Sequence, residues 1–315
     1  MEKWIKPGSA LVLLTMTITL LGSCKDKNTT DPEDIPVTEA VEREVPNKPL
    51  SKEFKDYWYS GNAEITSYAL EQARYGELRK GKAVLIYVTE PFVRGKQVKA
   101  DKNEASNIPV LKLNSTKKYL TGIYPYSIMS SCFYPIYDNQ HAVKATFSAQ
   151  EWCGQVFTQL NNREKYNVKS FSYFEKEGDK EITLEKDVLE NELWNKIKID
   201  PSNLPLGDFK MIPSLEYSTI SHIALKPYKA NATLTVDNGT NTYIIKYPEL
   251  ERTLEIHFSS TFPYSIEGWT ESFTSGFGDK AKTMVSKATR IKTLKTPYWQ
   301  QNGNDHLPLR DTLGL

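Results

Sequence analysis

The sequence has little cysteine, little histidine and almost no net charge, and each shortage excludes a class of protein. Three cysteines among 315 residues are too few for a disulfide scaffold or a multi-cysteine metal protein. Forty Lys and Arg residues balance 39 Asp and Glu residues, which leaves a net charge of +1. That balance argues against nucleic acid as a partner, because proteins that bind nucleic acid usually carry a basic excess.

The motifs of several enzyme classes are also missing. The four histidines form no His-x-x-x-His or His-Glu-x-x-His pair, so no metal site is predicted. There is no Gly-x-Ser-x-Gly elbow, no phosphate-binding loop and no dinucleotide-binding glycine motif. Glu151 and Glu175 are isolated carboxylates at predicted strand ends, whereas a glycosidase needs a pair of acids. The sequence therefore predicts no catalytic residue and no cofactor.

One apolar run lies near the N-terminus, at residues 9–21 (SALVLLTMTITLL). It is shorter than the roughly 20 residues of a membrane-spanning helix, and it follows two lysines, as in a secretory signal. The run ends at Leu21-Gly22-Ser23-Cys24, which resembles the bacterial lipobox. The resemblance implies a lipoprotein signal peptide over residues 1–23, lipidation of Cys24 and a lipid anchor in the membrane. An ordinary signal peptide with an incidental cysteine is the alternative.

Residues 24–52 differ from the rest of the chain in being charged, rich in proline and almost free of aromatic residues. This composition predicts a flexible, lipid-anchored tether that leads to a single β-rich domain over residues 53–315. We expect the protein in the cell envelope, at the outer membrane. The side of the membrane stays open, since only Asp26 is acidic beside the anchor and Lys25 and Lys27 flank it.

The remaining residues favour a mainly β fold: a large antiparallel sheet, as a half-barrel or a sandwich, with one or a few short helices. Residues 54–72 are aromatic-rich and partly alternating, which is typical of a strand. Residues 82–90 (KAVLIYVTE) are apolar on both faces and predict a central strand. Residues 230–247 predict a hairpin, because Asn238-Gly239 separates two alternating segments and both residues tolerate a positive φ.

One helix is predicted in the middle of the chain. It begins at Thr183 and ends at Pro201, and its apolar residues Leu189, Leu193 and Ile197 repeat every four positions. The capping pattern at Thr183 is incomplete, because a lysine stands where a glutamate would be ideal.

Cys132 and Cys153 lie in aromatic-rich strand contexts about twenty residues apart. Outside the cytoplasm a pair of thiols often oxidises, so a disulfide between them is one expectation. Two buried free thiols are the second. A catalytic cysteine acting with His141 is the third, although no Asn or Asp stands out to orient that histidine.

Clusters of Tyr and Trp are the remaining unusual feature of the sequence, and four residues in them are candidate ligand contacts: Trp58, Tyr59, Tyr124 and Tyr126. Such side chains combine an apolar ring with a polar tip and suit an apolar or glycan ligand. They are also common packing residues in antiparallel sheets, which is the alternative.

Several segments resemble an uncharacterised family of Bacteroidota lipoproteins: WYSGNAEITSYALEQARYGELRKGKAVLIYVTE, KKYLTGIYPYSIMSSCFYP, FSAQEWCGQVFTQLN, HFSSTFPYSIEGW and LRDTLGL. Some family members carry an automatic name that links them to Maf septum-formation inhibitors, which are cytoplasmic nucleotide pyrophosphatases. This chain lacks the Ser-x-Arg-Arg segment of those enzymes. The resemblance covers nearly all of the chain after the tether and implies membership without implying an activity.

These features predict an envelope-anchored lipoprotein that acts as a non-catalytic binding or carrier module. Its ligand would lie on a concave, aromatic-rich sheet, in the style of lipoprotein-sorting carriers. Its partners would be the membrane, through the lipid anchor, and an apolar or glycan ligand. The alternative is a secreted hydrolase acting on glycan or lipid, with carboxylates or Cys153 in its site.

Overall fold

A computed structural model describes residues 49–137, 140–276 and 278–315. The predicted signal peptide, the lipidation site Cys24 and nearly all of the tether lie outside the described residues. Within those ranges sixteen strands form one open sheet, and all of its pairings are antiparallel except that of the two strands at one edge. The prediction of a mainly β protein with a large antiparallel sheet and few short helices is confirmed. The strands form a single sheet and not the two sheets of a sandwich.

The strands vary in length from 2 to 17 residues, and the helices are all short. The strands have these bounds: β1 Ala63–Arg74, β2 Glu77–Val93, β3 Val98–Lys99, β4 Ile108–Thr121, β5 Tyr124–Pro135, β6 Lys144–Glu151, β7 Gly154–Asn162, β8 Tyr166–Ser172, β9 Lys180–Leu184, β10 Val188–Leu189, β11 Gly207–Ile212, β12 Tyr228–Asp237, β13 Thr240–Tyr247, β14 Arg252–Ser259, β15 Ile266–Ser275 and β16 Lys282–Thr296. The α-helices are α1 Lys52–Trp58, α2 Glu190–Ile199, α3 Leu215–Ile220 and α4 Pro308–Thr312.

Strands that follow one another in sequence also lie side by side in the sheet. One meander runs from β1 to β9, with β3 beside β2, and a second runs from β11 to β16. The pairing of β16 with β1 joins the two meanders. Because neighbouring strands are antiparallel, the turns after β1, β4, β6 and β8 lie at the same end of the sheet as α3, which we call the α3 end. Helix α1 precedes β1 and lies at the opposite end.

The sheet curls around α2, which is buried on nearly all of its sides. Asn195 of α2 donates to the backbone oxygen of Leu111 on β4 at 2.8 Å, and Glu190 of the same helix contacts Arg252 on β14. Five strand spacings separate β4 from β14, roughly 24 Å in a flat sheet, whereas a helix is roughly 10–12 Å wide. One helix contacts both strands because the sheet is curved, and the core fills its concave side.

The convex side of the sheet is partly covered by the last residues of the chain. Leu313 packs there against Ala63, Ile65 and Val88, and Ser67 donates a hydrogen bond to the backbone oxygen of Leu313. The two faces of β1 and β2 are therefore both apolar for different reasons. The inner face meets the core and the outer face meets residues 308–315.

Two predictions of local structure are confirmed. Residues 82–90 lie within β2, which has six or more strands on each side of it in the sheet. The 230–247 hairpin forms between β12 and β13, with Asn238 at φ 46° and Gly239 at φ 80° in its turn. The positive φ values explain why asparagine and glycine occupy these two positions.

The predicted start of the long helix is wrong. Thr183 belongs to β9, and the helix begins at Glu190. Val188 and Leu189 form β10 and pair in parallel with β11. Their backbone groups therefore form sheet hydrogen bonds, although the spacing of the apolar residues is helical. The helix ends at Ile199, shortly before Pro201, as predicted.

The strand predicted for residues 54–72 begins only at Ala63, because its first part is helix α1. Ser51 caps this helix by accepting a hydrogen bond from the backbone N–H of Phe54 at 3.0 Å, and Glu53 lies in its first turn. These two polar residues favour a helix start, which outweighs the strand preference of the aromatic residues that follow.

Candidate ligand-binding site

A cavity lies between the concave face of the sheet and helices α2 and α3. Its free volume is about 80 Å³, which has room for several water molecules. Most of the surface of its wall is apolar, although more than half of the lining residues are polar or charged. The apolar lining residues are Leu85, Leu113, Leu254, Trp269 and Phe273 from the strands, and Trp194 and Ile220 from the helices.

Ser130 on β5 lines this cavity and has an unusual environment. It is 9% exposed, and its hydroxyl has no hydrogen-bond partner in the protein. Buried polar atoms are nearly always paired, so an unpaired hydroxyl on a cavity wall marks a position where a bound molecule can form a hydrogen bond. Ser115 lies directly across from it on β4 and also lines the cavity.

A buried ion-pair network forms one side of the cavity. Arg252 donates to both carboxylate oxygens of Glu190, at 2.5 and 2.7 Å, and to Glu271 at 2.7 Å. Tyr247 donates to Glu190 at 2.7 Å. Burial by itself would raise the pKa of Glu190, but the charge and hydrogen bonds of Arg252 and Tyr247 outweigh it and lower the pKa. Glu190 is therefore ionised, and both of its carboxylate oxygens accept hydrogen bonds.

A second ion pair joins α3 to the sheet. Lys117 on β4 donates to Glu216 of α3 at 2.6 Å, and its ammonium lies 6.0 Å from the ring centroid of Trp269. Burial works to lower the pKa of Lys117, but the charges of Glu216 and Glu271 raise it, so the lysine stays charged. At the other end of α3, Arg74 donates to the backbone oxygen of Ile220 at 3.0 Å.

A further buried pair lies outside the cavity, near α1. Lys198 of α2 contacts Glu64 of β1 at 2.9 Å, and Tyr57 donates to the same carboxylate at 2.6 Å. The Lys198 ammonium lies 5.5 Å from the ring centroids of Trp58 and Tyr87. Burial lowers the pKa of Lys198, although Glu64 opposes the change. This cluster fixes α2 against the sheet and lines no part of the cavity.

Two groups that line the cavity, Cys132 and Glu190, are poorly suited to hydrolysis. Burial raises the pKa of Cys132 well above its ordinary value, and the nearby Glu192 adds to the effect, so its thiol stays protonated. A nucleophilic cysteine needs the opposite shift. Glu190 has a lowered pKa, whereas a general acid needs a raised one. Among the described residues there is also no group of three metal-ligating side chains.

The aromatic residues predicted to contact a ligand do not meet at one site. Trp58 and Tyr126 are buried in the core, Tyr124 is half-buried, and Tyr59 is 44% exposed. Trp58 packs against Tyr87, while Tyr126 stacks on Tyr119, the cross-strand partner of Gly81. Six residues of β2 separate these two contacts, roughly 20 Å, and none of the four predicted residues lines the cavity.

The disulfide expected between Cys132 and Cys153 is not formed. Both are free thiols, Cys132 buried and Cys153 exposed. Cys132 lies opposite Ala145, and the turn that contains Cys153 begins after Glu151, roughly 20 Å farther along β6. A disulfide requires α-carbons within roughly 7 Å of each other. His141 contacts Glu192 at 3.1 Å and packs on Tyr166.

The residues that do build the cavity were missed in the sequence, although one signal was available. Arg252 continues the alternation of Leu254, Ile256 and Phe258, which all face the core. A charged residue at a core position needs a partner, so this pattern indicates a buried ion pair. The position of Glu190 could not be inferred in the same way, because the helix that carries it is polar in sequence on the sides that become buried.

Comparison of the chain with protein-family models, with curated proteins and with solved structures finds no match. In the described ranges, no helix is long and apolar enough to cross a bilayer. The fold, the cavity and its chemistry are therefore the basis for a function.

Proposed function

We propose that this protein is a non-catalytic binding or carrier module that holds a small, mainly apolar molecule in the cavity beneath α3. One observation carries the proposal: the buried Ser130 hydroxyl, without a protein partner, on the wall of a cavity whose surface is mostly apolar. Ligand sites typically combine such a lining with a few placed polar groups. A ligand would bind by burying apolar area, and the Ser130 hydroxyl would orient one polar group.

The distribution of polar groups favours an apolar ligand over a glycan. A glycan presents many hydroxyls and needs many free donors and acceptors. Here Arg252 binds both Glu190 and Glu271, and Lys117 binds Glu216. Among the lining residues, Ser130 alone has a buried side-chain atom without a partner in the described part of the chain. A hydrolase is disfavoured because the pKa of Cys132 is raised and the pKa of Glu190 is lowered.

A ligand larger than a few water molecules would need α3 to move. The helix has six residues and lies in the connection 213–227 between β11 and β12. The Lys117–Glu216 ion pair and the hydrogen bond from Arg74 to Ile220 hold it in place. The backbone N–H of Leu215 also donates to Asn191 of α2, and Tyr217 packs on Phe273. Displacing α3 breaks these contacts too and leaves the sheet pairing intact. Helix α3 is thus the movable wall of the proposed site.

We further propose that Cys24 anchors the protein to the cell envelope, at the outer membrane, and that the chain belongs with the Bacteroidota lipoproteins it resembles. The apolar run before Cys24 and the charged tether after it support the anchor. Cys24→Ser removes the thiol that would accept the lipid. Metabolic labelling with an alkyne fatty acid should mark the parent protein and not this variant; equal labelling would contradict the anchor.

Native mass spectrometry of the protein purified from its own envelope tests the binding function. We expect the parent to carry a bound small molecule. Ser130→Phe should lose it, because the new ring fills the cavity. Met129→Phe is the matched control, since Met129 is the neighbouring residue, lies on the outer face and is exposed. Ser130→Ala keeps the space and removes the hydroxyl, so it should bind more weakly than the parent.

Circular dichroism must show that the variants fold, and Ser130→Ala provides a second test if Ser130→Phe does not. Bound mass that is equal in the parent, Ser130→Phe and Ser130→Ala would contradict the site. A parent protein that carries no molecule and takes up none from an envelope lipid extract would contradict the function.

A further inference from the structure

We propose that the tips of three adjacent hairpins at the α3 end dock on a lipid bilayer and insert shallowly into it. The tips lie between β4 and β5, β6 and β7, and β8 and β9, and they carry Ile123, Trp152 and Tyr173; we call these three residues the tip surface. Their exposed fractions are 83%, 69% and 77%. No other large hydrophobic residue in the described ranges is as exposed.

The tip surface is continuous across the three hairpins. The rings of Tyr124 and Trp152 are 6.3 Å apart, which joins the first tip to the second. Tyr173 covers Gly154 so closely that a β-carbon on this glycine would lie 3.0 Å from its ring, which joins the second tip to the third. The proximity of these side chains makes a single apolar patch out of three separate turns.

The apolar patch extends from the tips onto the outer face of the sheet. Met129, Phe157 and Phe171 lie there in one cross-strand row, with Ser148 between the first two. All three are 40–49% exposed. Large exposed apolar patches on a protein usually mark an interaction surface. The turn between β7 and β8, at the opposite end, looks different: its Arg163, Glu164 and Lys165 are charged and exposed.

The residue types and the shape of the tip surface favour a bilayer over a protein partner. Tryptophan and tyrosine are enriched where proteins meet the membrane–water interface, because one part of each ring system is apolar and another is polar. Each aromatic side chain buries at most roughly 150–250 Å². Taken alone, the three tip residues therefore fall short of the roughly 800 Å² per partner of a stable protein interface, and the row on the outer face is only partly exposed.

The length of the tether allows this contact if Cys24 is the anchor, a step that rests on the proposed function. The described chain begins near α1, at the end opposite to the tips. The 24 residues from Lys25 to Lys48 can span up to roughly 80 Å. The longest strand, β2, has 17 residues and a length of roughly 56 Å. A chain anchored at one end can therefore bring its other end to the same bilayer.

The tip surface also lies at the end that contains α3, the proposed movable wall of the cavity. Gln72 and Phe273, both close to this end of their strands, line the cavity. Docking would thus place the bilayer at the part of the protein where an apolar ligand enters or leaves. Bilayer contact itself does not depend on the cavity, so the two proposals fail separately.

A fluorescent probe at the tip tests the proposal on the full chain. Cys24→Ser and Cys153→Ser remove the other accessible thiols, and Cys132 is buried. Ile123→Cys then carries the environment-sensitive dye NBD, and Val236→Cys carries it in a matched control. Val236 is 66% exposed in the β12–β13 hairpin, at the opposite end of the sheet. Vesicles of phosphatidylethanolamine and phosphatidylglycerol, three to one, are added.

We expect the emission of the dye at position 123 to increase several-fold and shift to shorter wavelength with vesicles, while the dye at position 236 changes little. Trp152→Ser with Tyr173→Ser should weaken the response at position 123 several-fold; Arg163→Ser with Lys165→Ser should not. No response at position 123, or an equal response at both positions, overturns the proposal. A shift without vesicles that grows with protein concentration would assign the surface to a second copy and also overturn it.

Discussion

Arg252 on β14 holds the first residue of α2, Glu190, by donating to both of its carboxylate oxygens. This bidentate pair joins the second meander of the sheet to the helix that fills the concave side. Asn195 ties the same helix to Leu111 in the first meander. Polar contacts thus fix where α2 lies, and the position of α2 in turn shapes the cavity beneath α3.

The Arg252–Glu190 pair predicts a large loss of stability when one partner is removed. Arg252→Met should lower the free energy of unfolding by about 3–5 kcal/mol, because Glu190 would remain as a buried charge without its partner. Arg252→Met combined with Glu190→Leu should cost less than Arg252→Met alone. Urea denaturation measures all three values. A double variant that is at least as unstable as the single one would contradict this role.

The same pair predicts how stability depends on pH. The pKa of Glu190 is lowered in the folded protein, so its contribution is present above the unfolded value, about 4.3, and is lost as pH falls through the lower folded value. The stability difference between the parent and Glu190→Gln should therefore be largest near neutral pH and shrink below about pH 4. Denaturation midpoints at several pH values measure it. A difference that does not change with pH would contradict the assignment.

The β12–β13 turn predicts the effect of a side chain at Gly239, whose φ is 80°. Gly239→Val should lower the free energy of unfolding by about 1–3 kcal/mol, since a β-branched residue is strained at positive φ. Thr240→Val, at the adjacent strand position, should change it by less than about 0.5 kcal/mol. Chemical denaturation compares the two. Equal effects would mean that the turn does not impose this conformation.

This hairpin and the strand at residues 82–90 could be predicted because local signals decide them: an Asn-Gly turn and an apolar run of strand length. The start of α2 could not, because Val188 pairs with a strand distant in sequence. Helix α1 was missed although its capping residue Ser51 is a local signal, because the aromatic residues that follow it are typical of a strand. The cavity could not be predicted from the sequence for a reason similar to that for the start of α2. Lys117, Glu190 and Ser130 are ordinary polar residues until distant elements bring them together around one space.

The cysteines predict different reactivities. Cys153 is exposed, and its pKa is raised by a hydrogen bond to Glu151 and by the charge of that residue. In a Cys24→Ser background, Cys153 should react with a maleimide in the folded protein and Cys132 only after denaturation. Glu151→Gln should speed the reaction of Cys153, because more of its thiol would be ionised at a given pH. Mass spectrometry of peptides follows both sites; a disulfide between them, or rapid labelling of Cys132, would contradict the structure.

Quenching of tryptophan fluorescence by a brominated fatty acid measures whether the cavity beneath α3 takes an apolar molecule. Trp194 and Trp269 line the cavity, with rings 5.4 Å apart, whereas Trp152 and Trp299 are exposed elsewhere. Below the concentration at which the probe forms micelles, we expect saturable quenching in the parent and in Trp152→Phe with Trp299→Phe. Trp194→Phe with Trp269→Phe should lose most of it. Quenching that survives in this cavity variant, or is absent in the parent, would contradict binding of an apolar molecule in the cavity.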